Sequence, residues 1–593
     1  LLNFDFYKNT EQTMSELINE QDVAKALKLE KLHISLIAPA IMKLLKLDKI
    51  NEAYSPYSEL QSFEFTDKML AELGIDYEID AEDLKNIPKT EPFIAIANHP
   101  YGGIDGLILV SILNKIRPDT KVLANYLLQQ IPAIQDNIIA VNPFNDAKNS
   151  NLNVQGLKTL MGYVKEHPIA IFPAGEVSAL SLNTLKIADK KWDPTIGKII
   201  QRANIKVLPI YFSGHNSLAF NLLGLISPSL RTVKLPSELF NKKQKVKVRI
   251  GKPILPKSLA EFENSDELLR FVRAKTYALG SGFEVKKFFN INLNRLIRPR
   301  PIIEETPTDE IINNIKNIAE DCVYKHENFE VYISSAYNIP AVLKEITRLR
   351  EITFRAVGEG TNRSFDTDEF DLYYKHLFIW DSAENKIVGA YRLGLGDELF
   401  KQFGKKGFYL NQLFKLKKPF APILKESIEL GRSFVALDYQ RKPLSLMLLW
   451  KGINEFLKQN KGRYNYMIGP VSISGEFSNL SKDLLVAYIR HNHFDRALSK
   501  MVKPRKKFKY KFKGEDKKLL LEKHMDDIKL LDNFIGDIET NHAKIPVLIK
   551  KYLKLKGKII AFNVDPKFNN SLDGFLILNI NEIPDEAFDM VSR

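Results

Sequence analysis

Between about residues 60 and 285, short apolar runs of strand length alternate with helical patterns, and this alternation sets the fold class. "PFIAIAN", "PIAIFPAG", "KVLPIYFSG" and "KVKVRIGKPI" read as strands, while "GLILVSILNKI" and "LKTLMGYVKEH" between them repeat apolar residues at helical spacing. An α/β domain with a largely covered sheet is expected. "RLIRPRPIIEETPTDE" (Arg295 to Glu310) then breaks the pattern with prolines and mixed charge, as a linker does. A second α/β pattern follows. Helical "IPAVLKEITRLREITFRA" leads into two strand-like runs flanking "SAENK" as a hairpin, then "RSFVALDYQ", helical "LSLMLLWKGINEFLKQ" and a last unit, "IPVLIKKYLKLKGKIIAFNVD". The hairpin predicts a mixed or mainly antiparallel second sheet. Expected boundaries are a helical segment over 1–59, a candidate for the membrane surface, domains over 60–290 and 311–593, and a linker over 291–310.

A chain of 593 residues, 45% of them hydrophobic, is long enough for at least two buried cores. Its one cysteine, Cys322, excludes a disulfide framework and a cysteine-rich metal site. Without a basic-then-apolar leader, a cytoplasmic protein is expected, peripheral at the inner face of the cytoplasmic membrane. No run reaches the ~18 to 20 apolar residues of a spanning helix. "HISLIAPAIMKLLKL" (His33 to Leu47) reads instead as an amphipathic helix, packing on a core or lying on a membrane surface. A net charge of +14 implies an acidic partner: nucleic acid, anionic lipid or an acidic carrier protein. In "KPRKKFKYKFK" (Lys503 to Lys513) aromatic residues alternate with lysines, which predicts a strand with one aromatic and one cationic face.

"NHPYGGIDG", residues 98 to 106, carries chemistry that packing does not call for. Gly102 and Gly103 let the chain turn so that Asp105 can return towards His99. An imidazole held by a carboxylate takes a proton from an alcohol near neutral pH, although such pairs also occur as structural features. No protein nucleophile accompanies it, so the hydroxyl would be the substrate's own and the reaction an acyl transfer. "NHPYGGIDG", "AVNPFND", "FPAGEVS" and "VLPIYFSGHNS" stand in the order of the four blocks of the glycerolipid (lysophospholipid) acyltransferase superfamily, and "FPAGEVS" resembles its hemolysin-like branch. The resemblance covers about residues 60 to 260. It implies His99 as general base, Asp105 as its orienting partner, and Asn98, Gly102, Gly103, Pro173, Gly175 and Glu176 around the substrate, with Pro209 matching the fourth block. Five residues separate His99 from Asp105 where the superfamily usually has four. Ala174 stands where the third block usually has Glu, and "VNPFND" lacks an arginine for phosphate; both point away from a glycerol phosphate acceptor.

Within residues 340 to 565, "LREITFRA", "HLFIWD", "VGAYRL", "ELGRSFVALDYQ" and "IPVLIKKYLKL" resemble the amino-acid-lipid N-acyltransferases, of the broad GNAT-like class that includes acyl-homoserine-lactone synthases. The resemblance implies that Arg350, Phe354, Arg392, Glu429 and Arg432 shape the acceptor site; an amine nucleophile needs a carboxylate to accept or relay its proton, for which Glu429 is the candidate, and an amino-acid carboxylate needs a cation such as Arg392 or Arg432. "QRKPLSL" (Gln440 to Leu446) departs from the glycine-rich loop of coenzyme-A-using relatives, so acyl carrier protein is expected as donor ahead of acyl-CoA, with no bound cofactor and no metal.

The fold class expected is therefore α/β: a glycerolipid-acyltransferase-like domain followed by a GNAT-like mixed α/β domain. The combination resembles the bifunctional ornithine-lipid synthases. It implies N-acylation of ornithine with a 3-hydroxyacyl group, then O-acylation of that lyso-lipid's hydroxyl, with glycine or another amino acid as the alternative acceptor. A membrane-perturbing hemolysin-like protein and an RNA-binding protein are the contrasting readings; the enzyme requires no nucleic acid.

Overall fold

The computed structural model describes residues 42–43, 46–125, 128–129, 131–141, 158–181, 186–217, 219–221, 234–241, 245–283, 299–440, 442–510, 515–566 and 568–583. The chain forms two compact units, Leu1–Glu284 with Gly514–Leu520, and Val285–Lys513 with Leu521–Arg593.

In the first unit, helix α1 (Ser62–Glu72) precedes a seven-stranded sheet. Its strands are β1 (Tyr77–Ile79), β2 (Phe93–Ala97), β3 (Lys121–Asn125), β4 (Ile138–Val141), β5 (Ile169–Ile171), β8 (Lys206–Phe212) and β9 (Val246–Ile250), in the order β1-β9-β8-β2-β5-β3-β4; β6 (Ala179–Ser181) and β7 (Lys186–Ala188) form a separate hairpin. All neighbours are parallel except β8 and β9. Every residue of β2 is buried, as a strand covered on both faces requires. Helix α2 (Gly103–Ile116), nearly all apolar, packs its Ile104, Ile108 and Leu109 into the same core. Helices α3 (Pro194–Ala203) and α4 (Ser265–Ala278) begin at Asp193 and Asn264, whose side chains accept the backbone N–H of Thr195 and Asp266. Because β2, β5 and β8 are parallel, the segments that leave them at Asn98, Phe172 and Ser213 emerge at one edge of the sheet, where open α/β sheets bind ligands.

The second unit begins with α5 (Thr308–Asn317) and holds an eight-stranded sheet. Its order is β10 (Cys322–His326), β11 (Phe329–Ser335), β12 (Lys375–Asp381), β13 (Lys386–Leu395), β15 (Ser427–Val435), β16 (Tyr466–Ile473), β19 (Ser571–Asn579) and β18 (Lys558–Asp565). It is antiparallel apart from the β15–β16 pair. Helix α6 (Pro340–Ala356) packs Val342 and Ile346 with Phe378 and Trp380; α7 (Pro443–Gln459) and α8 (Asn479–Asn492) complete the larger helices.

Three expectations need correction. The linker stretch is part of the second unit from residue 299 on: Arg300 N donates to Asn362 O (3.1 Å), Ile303 N to Ser364 O (3.1 Å) and Thr306 N to Glu345 Oε2 (3.1 Å). Prolines there remove donors without preventing the remaining amides from pairing. The last unit does not end at Asp565, because β19 follows through a five-residue loop whose last turn, closed by Ser571 N donating to Phe568 O (2.8 Å), holds Asn569 and Asn570 at φ +50° and +55°, the two positive values of a type I′ turn. Of the described residues of the basic run only Lys503 and Pro504 are strand, in β17 (Val502–Pro504), paired with β14 (Phe414–Leu416); Phe508 and Tyr510 are half-buried, Lys507 and Lys509 exposed, and 511–513 lie outside the described residues. So do residues 1–41, with most of the amphipathic segment, and residues 142–146 of "VNPFND".

Candidate active sites

In the first unit, the turn that follows β2 is pinned at its start by Asn98, whose Nδ2 donates to Phe212 O (2.9 Å) and whose Oδ1 accepts from Phe212 N (2.7 Å). The expected substrate contact is thus a buried splint between two strands. His99 comes next, its ring stacked on Phe172 with centroids 4.1 Å apart and its side chain 17% exposed. Gly102 takes φ +89°, and a Cβ there would stand 3.1 Å from Val177 Cγ2, so glycine suits the position twice over. Gly103 opens α2, and Asp105 in its first turn turns one oxygen back: Oδ2 accepts from Tyr101 N (2.8 Å) and Gly102 N (3.0 Å) and lies 3.1 Å from His99 Nδ1. The extra residue between the two is absorbed in the turn, yet the imidazole contact is bent, without the alignment of a straight hydrogen bond. Asp105 is fully buried. Burial raises its carboxyl above the usual range, opposed by His99 and the two amides. A partly exposed imidazole beside a buried carboxylate is equipped to accept a proton.

Of the third-block residues, Phe172 touches His99, while Pro173 O accepts from Asp193 N and Gly175, at φ +64°, closes a turn onto Phe172 O. Glu176 faces solvent in an ion pair with Lys190 (2.9 Å). Pro209 lies within β8, opposite Ile96. Asp189 was not among the residues expected at the site. It is buried, and its Oδ1 accepts from His99 N (3.1 Å) and Ser178 Oγ (2.5 Å), its Oδ2 from Trp192 Nε1 (3.0 Å), while His99 O accepts from Ser178 N (2.8 Å). The His99 peptide is thereby held from both sides.

In the second unit, β15 and β16 pair through only three residues, Ser427 to Glu429 with Tyr466 to Ile468, and then part. Between their diverging ends lies a cavity of about 560 Å³. Cations reach it from β13 and β15 (Arg392, Arg432), carboxylates from β18 and β19 (Asp565, Asp573) and from the loop after α6 (Glu359), with Phe354 also in its wall. Arg432 sits at a bulge in β15 with φ +50°, a strained value for a non-glycine residue. Its guanidinium lies over Phe568 (4.7 Å) and Tyr409 (5.5 Å), and its Nε is buried without a hydrogen-bond partner. Arg392 is fully buried, Nη1 bonded to Asp368 (2.5 Å) and Asp371 (3.2 Å), its Nε likewise unpartnered.

Two expected site residues stand elsewhere. Arg350 does not line the cavity; it is bonded to Asp366 and Asp371, and Arg350 with Arg392 hold Asp371 below the carboxylate range despite its burial. Glu429 does not line it either. Its Oε2 accepts from Tyr374 Oη (2.5 Å) and Tyr409 N (3.0 Å) and its Oε1 from Leu410 N (2.7 Å), so both oxygens anchor other segments. Burial pushes its carboxyl up to about 7 against those bonds and Arg392. What the sequence did not reveal is the carboxylate group on the β18–β19 hairpin. Asp573 Oδ1 accepts from Ser472 Oγ (2.7 Å) of β16, while Oδ2 is buried without a partner. Burial and the neighbouring Asp565 and Glu359 push Asp573 up to about 8, opposed by the Ser472 hydrogen bond.

An acyltransferase family model matches residues 24–285 and the acetyltransferase (GNAT) domain model residues 349–451. The protein is an acyltransferase, with an acyltransferase unit followed by a GNAT unit. The glycine Nα-acyltransferase of Phocaeicola vulgatus is 30% identical over 272 residues, 43% of this chain and 81% of that protein, and the one from Bacteroides thetaiotaomicron is 30% identical over 271 residues, 43% and 79%. The lyso-glycine lipid O-acyltransferase of Bacteroides thetaiotaomicron is 25% identical over 249 residues, 40% of this chain and 88% of that protein. A solved structure, the 1-acyl-sn-glycerophosphate acyltransferase of Thermotoga maritima, matches with 17% identity over 44% of this chain and 87% of its own, at a TM-score of 0.25. The chain belongs to the acyltransferase family that contains the glycine Nα-acyltransferases. Among the described residues no helix is long and apolar enough to cross a membrane, and no cluster has the make-up of a metal site.

Proposed function

We propose that this chain builds a doubly acylated amino-acid lipid in two steps, the GNAT unit acylating the α-amine of the amino acid and the first unit esterifying the resulting lyso-lipid. One observation carries the reading: a single chain resembles both a glycine Nα-acyltransferase and a lyso-glycine lipid O-acyltransferase. Glycine is the acceptor these relatives favour. It has no hydroxyl, so the oxygen esterified in the second step arrives with the first acyl chain, which makes that chain a hydroxyacyl group. Ornithine, the first expectation, is a second reading; the several carboxylates in the cavity suit an additional ammonium.

In the first step Arg432, which lines the cavity and holds Asp366 and Asp368 only at 3.7 and 3.6 Å, binds the amino-acid carboxylate. In the second, His99 accepts the lyso-lipid's hydroxyl proton on the ring nitrogen away from Asp105 as the oxygen attacks the donor thioester, and the departing thiolate takes up a proton. An acyl carrier protein as donor agrees with the charge of +14, since such a partner is acidic. Lipid extracts of a host that lacks amino lipids test the reading by mass spectrometry. Doubly acylated glycine should accumulate on expression, and only the singly acylated form with His99→Ala; absence of any new amino lipid refutes the two-step synthesis.

A further inference from the structure

With both Glu429 oxygens occupied, the first step needs another group to take the ammonium's proton, because an amine attacks a thioester only after losing it. Among the described residues that line the cavity there is no histidine. Glu476 is exposed, and Glu539 accepts from Ser478 N. Asp573 differs from both. The β16–β19 register sets it opposite Ser472, whose hydroxyl fixes Oδ1; Oδ2 is buried with no hydrogen-bond partner among the described residues, and Asp573 stands in the cavity wall.

We propose that Asp573 is the base of the N-acylation step, receiving on Oδ2 a proton from the α-ammonium of the bound amino acid. This rests on the two-step reading above. The ammonium gives one proton to Asp573. The amine nitrogen then bonds to the thioester carbonyl carbon, the C–S bond breaks with its electron pair going to sulfur, and the second proton leaving nitrogen goes to the thiolate. Asp573 returns its proton to solvent before the next turnover.

The surroundings favour this use. Asp573 is met by Ser571 on its own strand, Ser472 from β16, Asp565 from β18 and Glu359 from the loop after α6. The two carboxylates attract an ammonium and make a proton easier for Asp573 to keep, so that it titrates near working pH, where a general base is most effective. The arginines stand on strands across the β15–β16 gap, so an amino acid meets cations at its carboxylate and carboxylates at its ammonium.

The test compares the purified full chain with Asp573→Asn, using a hydroxyacyl thioester and either glycine or ornithine at saturation, from pH 6 to 9.5. Loss of ~100-fold or more in turnover, together with loss of the parent's rise in rate towards about pH 8, is expected. Turnover within about threefold of the parent with the rise intact overturns the proposal, as does a variant impaired with ornithine alone, which would make Asp573 a side-chain ammonium site. Asp565→Asn, by removing a neighbouring negative charge, should move the rise to lower pH; an unmoved rise also overturns it, even if Asp573→Asn fails to fold. If the parent acylates neither amino acid, the functional reading fails separately. Melting temperatures then decide for Asp573: Asp573→Asn should gain on the parent as pH climbs from 5 to 9, and a constant difference rejects a proton-holding Asp573.

Discussion

Asp105→Asn tests the first site most sharply, because the two carboxylate oxygens do different work. Oδ2 accepts from Tyr101 N and Gly102 N and faces His99 Nδ1, while Oδ1 is buried without a hydrogen-bond partner. An asparagine can keep its oxygen on the two amides only by placing its NH₂ where Oδ1 stood, a buried donor with no acceptor. Bonds to a charged acceptor contribute ~1.5 to 3 kcal/mol each and neutral ones ~0.5 to 1.5, so weakening two costs about 2 kcal/mol, and an unsatisfied buried donor costs ~1 to 3 more. Relief from burying a charge offsets part of this, leaving a loss of about 2 to 4 kcal/mol that a unit stable by ~5 to 15 survives. The imidazole remains but loses the charge that stabilises its protonated form. O-acylation of supplied lyso-lipid should fall ~10²-fold, less than with His99→Ala, where ~10² to 10⁴-fold is expected. N-acylation should be unchanged in both. Urea titration and mass spectrometry of the ester read the two effects, and a His99→Ala protein that esterifies at the parental rate refutes the assignment.

Glu429→Gln should cost about 2 to 4 kcal/mol, since one of its three donors must meet an NH₂, while each folded molecule keeps N-acylation within about tenfold; a folded variant without N-acylation would return the proton relay to Glu429. Arg432→Ala should raise the KM for the amino acid by ~10 to 100-fold with a smaller change in kcat, as loss of a charged hydrogen bond predicts, and an unchanged KM places the carboxylate elsewhere. Cleavage at an engineered site within 285–298 should leave both units folded by circular dichroism, whereas a cut at Pro307 should destabilise the second unit by severing Arg300, Ile303 and Thr306 from their partners. Equal stability of the two products contradicts that docking.

The first sheet was legible because fully apolar strands such as Phe93–Ala97 punctuate helical periods, and the His99–Asp105 turn because glycines and two ionisable residues crowd into nine positions. The second site was legible only as a set of cations. Arg350, Arg392 and Arg432 look alike in sequence, and only folding shows Arg350 committed to Asp366 and Asp371 away from the cavity, and Arg392 and Arg432 in its wall, Arg392 bonded there to Asp368 and Asp371. Asp573 was invisible for another reason. "SLDGFLILN" places Asp-Gly inside a strand, a pairing typical of turns, and its partner Ser472 lies about a hundred residues earlier, beyond any local pattern. Asp189 is hidden likewise, its partner His99 being ninety residues away.

The pairing of β19 between β16 and β18 has a consequence for synthesis. β19 is an interior strand contributed by residues 571–579, so the amine cavity lacks a wall until those residues have left the ribosome. Every residue of the first unit, through Leu520, has been translated by then. A growing chain, folding from its N-terminal side, therefore completes the acyltransferase unit before the GNAT unit. On the proposed two-step synthesis, newly made enzyme would release no single-chain lipid, a detergent in its own right, ahead of the unit that converts it.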